Sequence, residues 1–417
     1  MMTPFRSSVG LSLLAAGLVG FAWAAGDADD IHVRVAASSA VATSSTVQPA
    51  DDGRTLRATD ANGWFEFQVR IPAAGRYESI LDVRAVDGEE VTVWIEDYVG
   101  NPDGRTYDIT GPIALEPASR AAEISRLGSP LNVGEHRLRV HHAGGRVELS
   151  ELRFELIKPH QLTPTTLVQR TDGSEWTLVW SDEFNDDGAI DQSNWTSDIG
   201  NWGWGNREPQ LYTEGRLENA RCEGGSLIIE ARKDYLGAAW TSARLTTRGK
   251  VSFQYGRLEI RAKAPVADGT WGAGWLLGDA YRDELSWPYC GEVDIFEAVG
   301  HEIDDKTGDG INHGSCHTRA YYFKQGNHIS NTIPVKGMGT TFHTYAMEWT
   351  PESVRMFVDG EHYYTYDKRA DELEWPFDRP QNIILNLAMG GGMGGDIDPT
   401  IEAQQLHVDY VRVFGRH

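Results

Sequence analysis

The chain alternates apolar and polar residues with a period of two over many short stretches, which is the pattern of a half-buried β-strand. Residues 65–71, 91–95, 138–140 and 147–156 carry this pattern in the first part of the chain, and glycine-containing turns separate them. Only residues 117–127 have a helical period, and it is weak. We therefore predict a small β-sandwich of about 130 residues, in which this segment is the one helix candidate.

The second part of the chain keeps the period of two but differs in composition. Residues 257–263 alternate, residues 354–358 run into the hairpin signal Asp359-Gly360, and residues 408–414 end the chain with another strand pattern. Eleven of the 14 Trp lie after residue 174. Because no helical period is sustained, about 240 residues of strands and turns predict one large β-sandwich or jelly roll. The predicted fold class is all-β in both parts.

The N-terminus has the features of a secretory signal peptide. Arg6 supplies a positive charge, residues 9–22 are apolar, and an Ala-x-Ala cleavage pattern ends at Ala24. We predict a signal peptide over residues 1–24 and a protein secreted to the periplasm or the extracellular space.

A polar segment divides the remaining chain. Residues 159–173 are typical of a linker, which separates a first domain over residues 26–158 from a second domain over residues 174–417. Because each domain has its own alternating core, we expect the second domain to fold and function without the first.

Charge and cysteine content narrow the classes of function. Asp and Glu total 61 against 38 Lys and Arg, which gives a formal net charge of -23. An acidic surface repels phosphate backbones and anionic lipid, so we expect neither a nucleic-acid nor a membrane partner. Three cysteines allow one disulfide at most, and the sequence leaves open whether Cys290 and Cys316 are bridged.

Candidate chemistry is concentrated in residues 292–297, where three carboxylates interrupt an apolar strand. Strict alternation places Glu292 and Asp294 on one face and Glu297 on the other, but a β-bulge would return Glu297 to the shared face. A retaining glycosidase uses two carboxyls about 5 to 5.5 Å apart. The middle carboxylate can share a proton and tune the pKa of Glu292. Since like charges on one face repel, we interpret the segment as catalytic rather than as a solvated strand face.

Residues 287–297 resemble the signature of glycoside hydrolase family 16. The similarity continues in order through residues 180–184, 241–245, 255–262, 386–391 and 408–414. It implies a concanavalin-like jelly roll with an open cleft on its concave face. It further implies Glu292 as the nucleophile, Glu297 as the acid/base and Asp294 as the tuning carboxylate.

Residues 205–212 are similar to the laminarinase branch of that family. The resemblance implies a retaining endo-β-1,3-glucanase that hydrolyses laminarin-type β-glucans by double displacement. It also implies sugar contacts, through indole stacking or hydrogen bonds, for Asn206, Glu208, Arg261, Trp271, Trp275, Trp287 and His317. From the residues alone, a pairing of Arg261 with Glu259 or Asp294 stays an alternative.

Other functions stay open at this point. The same machinery could act on agarose or mixed-linkage glucan, because residues 271–275 lack a proline common in the family and Met393 stands in a segment that often carries an aromatic residue. A non-catalytic glucan-recognition protein is the third alternative. The presence of both Glu292 and Glu297 argues against it, because binding needs no acid/base pair.

Neither the chemistry nor the resemblance requires a cofactor. The resemblance does imply a structural calcium held by Glu183, Gly225 and Asp409, largely through backbone oxygens. The expected partner is a β-glucan polysaccharide, and we expect a monomer.

The first domain is similar to a family 6 carbohydrate-binding module in residues 60–71, 72–77 and 134–140. Trp94 and Tyr98 are the aromatic candidates for its ligand face. A stabilising sandwich without a ligand is the alternative.

Overall fold

The computed structural model describes residues 31–44, 47–86, 90–98, 105–115, 122–161, 163–164, 166–169, 175–234 and 236–416. The predicted signal peptide lies outside the described residues. The described first part of the chain contains strands β1 (His32–Ala36), β2 (Ala42–Thr43), β3 (Val47–Pro49), β4 (Leu56–Ala58), β5 (Gly63–Ile71), β6 (Gly75–Ala85), β7 (Val91–Asp97), β8 (Tyr107–Asp108), β9 (Ile113–Leu115), β10 (Ala122–Leu127), β11 (Gly134–Ala143) and β12 (Val147–Pro159).

These strands form two sheets around a common apolar core. One sheet has the order β10-β6-β12-β4-β3 with β1 on β12, and the other has the order β2-β5-β11-β7-β8 with β9 on β7. The side chains that the period of two turns inward, among them Phe65, Phe67 and Phe154, are fully buried. The all-β first part that the sequence predicts is therefore confirmed.

Two local features of the first part depend on pairing between distant strands. The register of β12 against β6 shifts between Leu149 and Glu151, and this bulge moves the inward positions from odd to even residue numbers. The helix candidate at residues 117–127 is wrong in its described part, because Ala122–Leu127 is strand β10. This strand pairs antiparallel with β6, so sheet pairing overrides a weak local preference.

The described second part contains β13 (Thr166–Gln169), β14 (Trp176–Asp182), β15 (Thr196–Ser197), β16 (Gln210–Tyr212), β17 (Ala220–Glu223), β18 (Ser226–Arg232), β19 (Trp240–Ser242), β20 (Arg244–Thr246), β21 (Val251–Gln254), β22 (Gly256–Lys263), β23 (Thr270–Gly278), β24 (Glu292–Val299), β25 (Gly310–His317), β26 (Ile329–Val335), β27 (His343–Trp349), β28 (Ser353–Val358), β29 (Glu361–Asp367), β30 (Gln381–Met389) and β31 (Ala403–Arg416). Strand β13 lies within the predicted linker and pairs in parallel with β21 of the second part. The domain boundaries stay a prediction.

Two large sheets enclose the core of the second part. A nine-stranded sheet contains the path β13-β21-β30-β23-β24-β25-β26, and a ten-stranded sheet contains β16-β19-β18-β31-β22-β27-β28-β29. Inward side chains from both sheets, such as Leu258, Ile260 and Ile295, are fully buried between them. Because β24 lies between β23 and β25, the acidic strand is hydrogen-bonded on both sides, which fixes the register of its side chains.

Helical structure in the described ranges is limited to one helical turn, Gly391–Gly394, and three 3₁₀ turns, Ala37–Ser39, Gly300–Glu302 and Phe323–Gln325. Across this described part of the chain, none of the helices is long and apolar enough to span a membrane. The three cysteines are buried free thiols, so Cys290 and Cys316 are not bridged.

Candidate functional site

A β-bulge in β24 brings three carboxylates to one face of the nine-stranded sheet. The register of β24 against β23 shifts at Ile295, the extra residue between Asp294 and Phe296. This shift moves the alternation by one position. Glu292, Asp294 and Glu297 consequently border the same cleft. The bulge that the sequence required for this arrangement is confirmed.

The cleft has a volume of about 350 Å³ and walls rich in indole rings. Trp271 and Trp275 come from β23, and Trp204 and Trp287 come from the loops that precede β16 and β24. Flat aromatic faces of this kind stack on the apolar faces of pyranose rings. The surface that surrounds the carboxylates is therefore suited to a sugar polymer.

Each outer carboxylate of the strand receives a hydrogen bond from its own indole. Trp287 Nε1 donates to Glu292 Oε2 at 2.9 Å, and Trp271 Nε1 donates to Glu297 Oε1 at 2.9 Å. Because an indole N–H is a donor only, it must meet an acceptor lone pair and so fixes the rotation of the carboxyl group.

The central carboxylate has a different environment. Ser315 Oγ donates to Asp294 Oδ2 at 2.6 Å, and His317 Nε2 lies 3.2 Å from the same oxygen. Burial alone would lower the pKa of His317, but its hydrogen bond to Asp294 and the nearby carboxylates raise that pKa to about 9. His317 therefore forms an ion pair with Asp294 inside the cleft.

Burial and mutual repulsion raise the pKa of both glutamates. Burial, followed by the charge of Asp294, raises the pKa of Glu292 to about 8. The same two causes, in the same order, raise the pKa of Glu297 well above its ordinary value. A carboxyl whose pKa is raised can act as a general acid, so two such groups on one face suit a nucleophile beside a proton donor.

Most of the residues predicted to contact sugar line the cleft. They are Asn206, Glu208, Trp271, Trp275, Trp287 and His317. Glu208 is held by Asn206 Nδ2 at 3.1 Å and by Gln210 Nε2 at 2.7 Å, and burial raises its pKa to about 7. Trp275 Nε1 donates to Asn386 Oδ1 at 2.7 Å, which leaves its ring as the part available for stacking.

Arg261 does not belong to this group. It lies on β22 of the ten-stranded sheet, outside the lining of the cleft, and its guanidinium pairs with Asp409. The expected sugar contact does not fit this position. Neither alternative partner, Glu259 or Asp294, is the residue paired with it. Alternation along β22 turns Arg261 toward the outer face of the ten-stranded sheet, away from the core.

The residues expected to hold calcium are neighbours, but their carboxylates are occupied. The register of β31 against β14 and β18 sets Glu183, Gly225 and Asp409 close together. However, Arg412 forms a two-point ion pair with Glu183 at 2.9 and 2.7 Å, and Arg261 pairs with Asp409. Calcium prefers anionic oxygens, and here each carboxylate is already neutralised. Backbone oxygens are the ligands that this set can still offer, and a calcium site held by them stays a prediction.

Several cleft residues were not predicted as contacts, and Arg244 and Asn386 are two of them. The Arg244 guanidinium lies 4.8 Å from the ring centroid of Trp204 and 4.7 Å from that of Trp275, so it packs between two cleft walls. Asn386 orients Trp275 from β30. Both residues fall in segments that carry the family resemblance, which was the one available signal, but no local pattern distinguishes a cleft-lining Arg or Asn from an ordinary strand residue.

This arrangement can perform general acid and nucleophilic chemistry. Two carboxyls with raised pKa values lie on the same face of an aromatic cleft. In such a pair, one carboxyl can protonate the leaving oxygen while the carboxylate of the other attacks the adjacent carbon.

Comparison with known proteins supports the same chemistry. The family model described as "Glycosyl hydrolases family 16" matches residues 208–412. A beta-glucanase of Rhodothermus marinus is 49% identical over 249 residues, which cover 57% of this chain and 85% of that protein. The solved laminarinase of Rhodothermus marinus matches with a TM-score of 0.54 and 48% identity, over 58% of this chain and 98% of that chain.

A more distant relative covers more of this chain. The glucan endo-1,3-beta-glucosidase A1 of Niallia circulans is 30% identical over 337 residues, which cover 69% of this chain and 45% of that protein. The likeness to the laminarinase structure also confirms the predicted jelly roll. With its bulged acidic strand and these matches, the chain belongs to glycoside hydrolase family 16.

Proposed function

We propose that the protein is a secreted endo-β-1,3-glucanase that hydrolyses laminarin-type β-glucans with retention of configuration. The observation that carries the proposal is the bulge in β24, which sets Glu292, Asp294 and Glu297 side by side in an aromatic cleft. A cleft suits an internal stretch of a polymer. The similarity to a beta-glucanase and to a glucan endo-1,3-beta-glucosidase supports the choice of linkage.

The reaction proceeds in two displacements. Glu292 attacks the anomeric carbon while Glu297 gives its proton to the glycosidic oxygen, so the C–O bond breaks and a covalent glycosyl-enzyme forms. Glu297, now a carboxylate, then takes a proton from water, whose oxygen attacks the same carbon and releases Glu292. Two inversions restore the β configuration. The negative charge of Asp294 favours the return of the proton to Glu297 after each turnover.

A reducing-sugar assay on laminarin, curdlan, lichenan and agarose tests the substrate. We expect laminarin to be cleaved fastest, with a Glu292→Ala variant as the blank. Activity on agarose without activity on laminarin would favour the same machinery on another β-glycan. Binding to laminarin without hydrolysis of any glycan would favour a recognition protein. Proton NMR of the earliest products tests the mechanism, and initial release of the α anomer would contradict retention.

We further propose that the first domain binds β-glucan through the outer face of the sheet that contains β5, β11 and β7. Trp64, His141 and Trp94 are direct neighbours across these strands. His141 stacks on Trp94 with ring centroids 5.0 Å apart, and the Arg139 guanidinium lies 4.4 Å from the Trp64 centroid. Aromatic rings bordered by hydrogen-bonding charges form a surface on which sugars stack. This feature supports the module-like role of the domain.

Binding to insoluble curdlan tests this face. In a Glu292→Ala background, which removes turnover, Trp94→Ala should weaken the retention of the full chain on curdlan several-fold. Arg70→Ala is the matched control, because Arg70 is an exposed strand residue that pairs with Glu135. Equal retention of both variants would mean that the sandwich has no glucan site on this face.

The remaining proposals concern the environment of the enzyme. We propose that residues 1–24 are removed during secretion, which N-terminal sequencing of the exported protein tests. We propose a monomer, which light scattering coupled to gel filtration tests. The reaction needs only carboxyl groups and water, so we propose that it requires no cofactor. A structural calcium stays a prediction. It would raise the melting temperature over that in a chelator, and an unchanged melting temperature would exclude a stabilising site.

A further inference from the structure

The first domain contacts two loops that border the cleft. The Trp204 loop, residues 198–207, contributes Trp204 and Asn206 to the cleft lining. The Trp287 loop, residues 279–291, contributes Trp287 to the same lining. Each loop receives an arginine from the first domain. The cleft walls are therefore supported partly from outside the catalytic sandwich.

Arg76 reaches the Trp204 loop from β6. Its guanidinium lies 4.4 Å from the ring centroid of Trp202 and 5.0 Å from that of Trp204, and it forms an ion pair with Asp198 at 3.6 Å. Arg76 is only 3% exposed, so its charge is enclosed where the two domains meet. Trp204 has a backbone φ of 52°, a value that bulky residues rarely adopt. Packing around the loop must hold this conformation.

Two hydrogen bonds to main-chain carbonyl oxygens extend this contact between the domains. Asn201 N donates to the carbonyl oxygen of Leu127 at 3.1 Å, and Lys158 Nζ donates to that of Ser197 at 2.9 Å. These bonds join the start of the Trp204 loop to the first domain. The loop is consequently fixed at several points.

Arg105 reaches the Trp287 loop, and its contacts lead directly to a catalytic carboxyl. Arg105 Nη2 donates to the carbonyl oxygens of Leu285 at 2.9 Å and of Trp287 at 2.8 Å. Trp287 Nε1 in turn donates to Glu292 Oε2 at 2.9 Å. A single residue, Trp287, therefore links the first domain to the carboxyl that acts as the nucleophile.

We propose that Arg105 is a positioning residue for Glu292, which it orients through Trp287, and that the first domain is thereby part of the catalytic apparatus. The inference rests on the proposed role of Glu292. A nucleophile must lie within a small distance of its target, and a displacement of about 1 Å can cost roughly a hundredfold in rate. The bond from Trp287 sets the rotation of this carboxyl, so whatever holds the Trp287 backbone also sets the angle of attack.

A role in folding alone does not account for these contacts. The two domains have separate apolar cores, and the hydrogen bonds of Arg105 to Leu285 and Trp287 run to carbonyl oxygens of a loop. Because these bonds are only partly buried, water can replace the donor at a modest cost in stability. Loss of Arg105 should therefore leave the fold intact and loosen the loop. A first domain that only anchored the enzyme to its substrate would instead change the activity on insoluble substrate only.

The experiment compares Arg105→Ala, Arg105→Lys and Arg70→Ala in the full chain on soluble laminarin. Arg105→Ala should lower kcat by roughly tenfold, the effect of losing one hydrogen bond to a charged group, while KM changes less than about twofold. Lysine should restore part of the rate because it can still donate to a carbonyl. Arg70→Ala should match the wild type.

The pH profile supplies a readout that a purely structural role would not move. The charged groups that face Glu292 are Asp294, Glu297, His317 and Arg244. The hydrogen bond from Trp287 is one of the interactions that lower the pKa of Glu292. Weakening that bond in Arg105→Ala should therefore shift the acid limb of kcat/KM to higher pH. Trp287→Phe removes the donor itself, and adding Arg105→Ala to it should produce little further loss of rate.

Amide hydrogen exchange tests the inference without relying on activity. Arg105→Ala should accelerate exchange in peptides over residues 279–291 and leave those over residues 343–358 unchanged. If Arg105→Ala does not fold, Arg105→Lys carries the same test with a smaller expected effect. If both Arg105 variants have the rate, the pH profile and the amide hydrogen exchange of the wild type, the proposal is overturned. Inactivity of the wild type on every glycan would instead overturn the proposed function, and the exchange measurement would still decide the coupling.

Discussion

The sharpest prediction separates the two glutamates by their roles. Glu297→Ala removes a buried carboxyl whose pKa is raised well above its ordinary value by burial and by the charge of Asp294. General acid catalysis is worth roughly 10² to 10⁴ in rate, so hydrolysis of laminarin should fall by that factor. An aryl glycoside with a dinitrophenolate leaving group barely needs the proton, so its first step should survive. Reducing-sugar release and phenolate absorbance measure the two substrates separately.

Azide then distinguishes the two variants by the stereochemistry of the product. In Glu297→Ala, azide attacks the covalent intermediate without a base and should give a β-glycosyl azide. Glu292→Ala should hydrolyse none of the substrates. Azide bound in the space left by the Glu292 side chain should attack the anomeric carbon from the opposite face and give an α-glycosyl azide. Glu361→Ala, an exposed glutamate at the start of β29, is the matched control. An α azide from Glu297→Ala or a β azide from Glu292→Ala would reverse the assignment, and normal turnover in both would refute the role of this strand.

Three further predictions concern the pKa values and the packing of the site. Asp294→Asn removes the charge that raises the pKa of Glu292 and Glu297, so both limbs of the pH–rate profile should move to lower pH by about one unit, with a slower maximum rate. His317, with a pKa of about 9 against an ordinary 6.5, stabilises the fold fully below pH 6.5, and this contribution is lost as the pH rises through 9. The raised pKa of Glu292 likewise makes the fold less stable as the pH rises from 4.5 to 8. The melting temperature should therefore fall between pH 6 and 9, and a melting temperature that does not change with pH would contradict both shifts. Gly278→Ala would place its Cβ 1.9 Å from the carbonyl oxygen of Cys290, and urea melts should record a loss of about 2 kcal/mol or more, whereas the control Gly392→Ala enters open space.

The sequence predicted the candidate carboxylates more completely than the contacts that hold the surrounding loops. Glu292, Asp294 and Glu297 stood out as candidates because charged groups in an apolar strand are costly unless they have a function. The need to bring Glu297 to the same face predicted a bulge in this strand, and the structure places it at Ile295. Periodicity also predicted the two separate cores. These features depend on local spacing, which a sequence displays directly.

Features that depend on pairing between distant segments were not predictable in this way. Residues 122–127 form an edge strand because β6 offers a partner, and Arg261 pairs with Asp409 because β22 and β31 are adjacent in the sheet. Arg76 and Arg105 are ordinary polar residues in the sequence, and their contacts with the cleft loops require the packing of two domains. The expectation that the second domain works alone took account of the cores and not of this interface.

The charge balance of the cleft explains why the pKa of both Glu292 and Glu297 is raised. Fully ionised, the three carboxylates of β24 would face the cations His317 and Arg244, and burial makes the remaining negative charge costly. Asp294 has two polar partners, Ser315 and His317. The groups that lower the pKa of Glu292 are His317, Trp287 and Arg244, whereas Trp271 and His317 lower that of Glu297. Fewer groups therefore oppose the effect of burial on Glu297. The bulge at Ile295 thus performs two tasks: it brings Glu297 into the cleft, and it sets this carboxyl where fewer groups stabilise its charge.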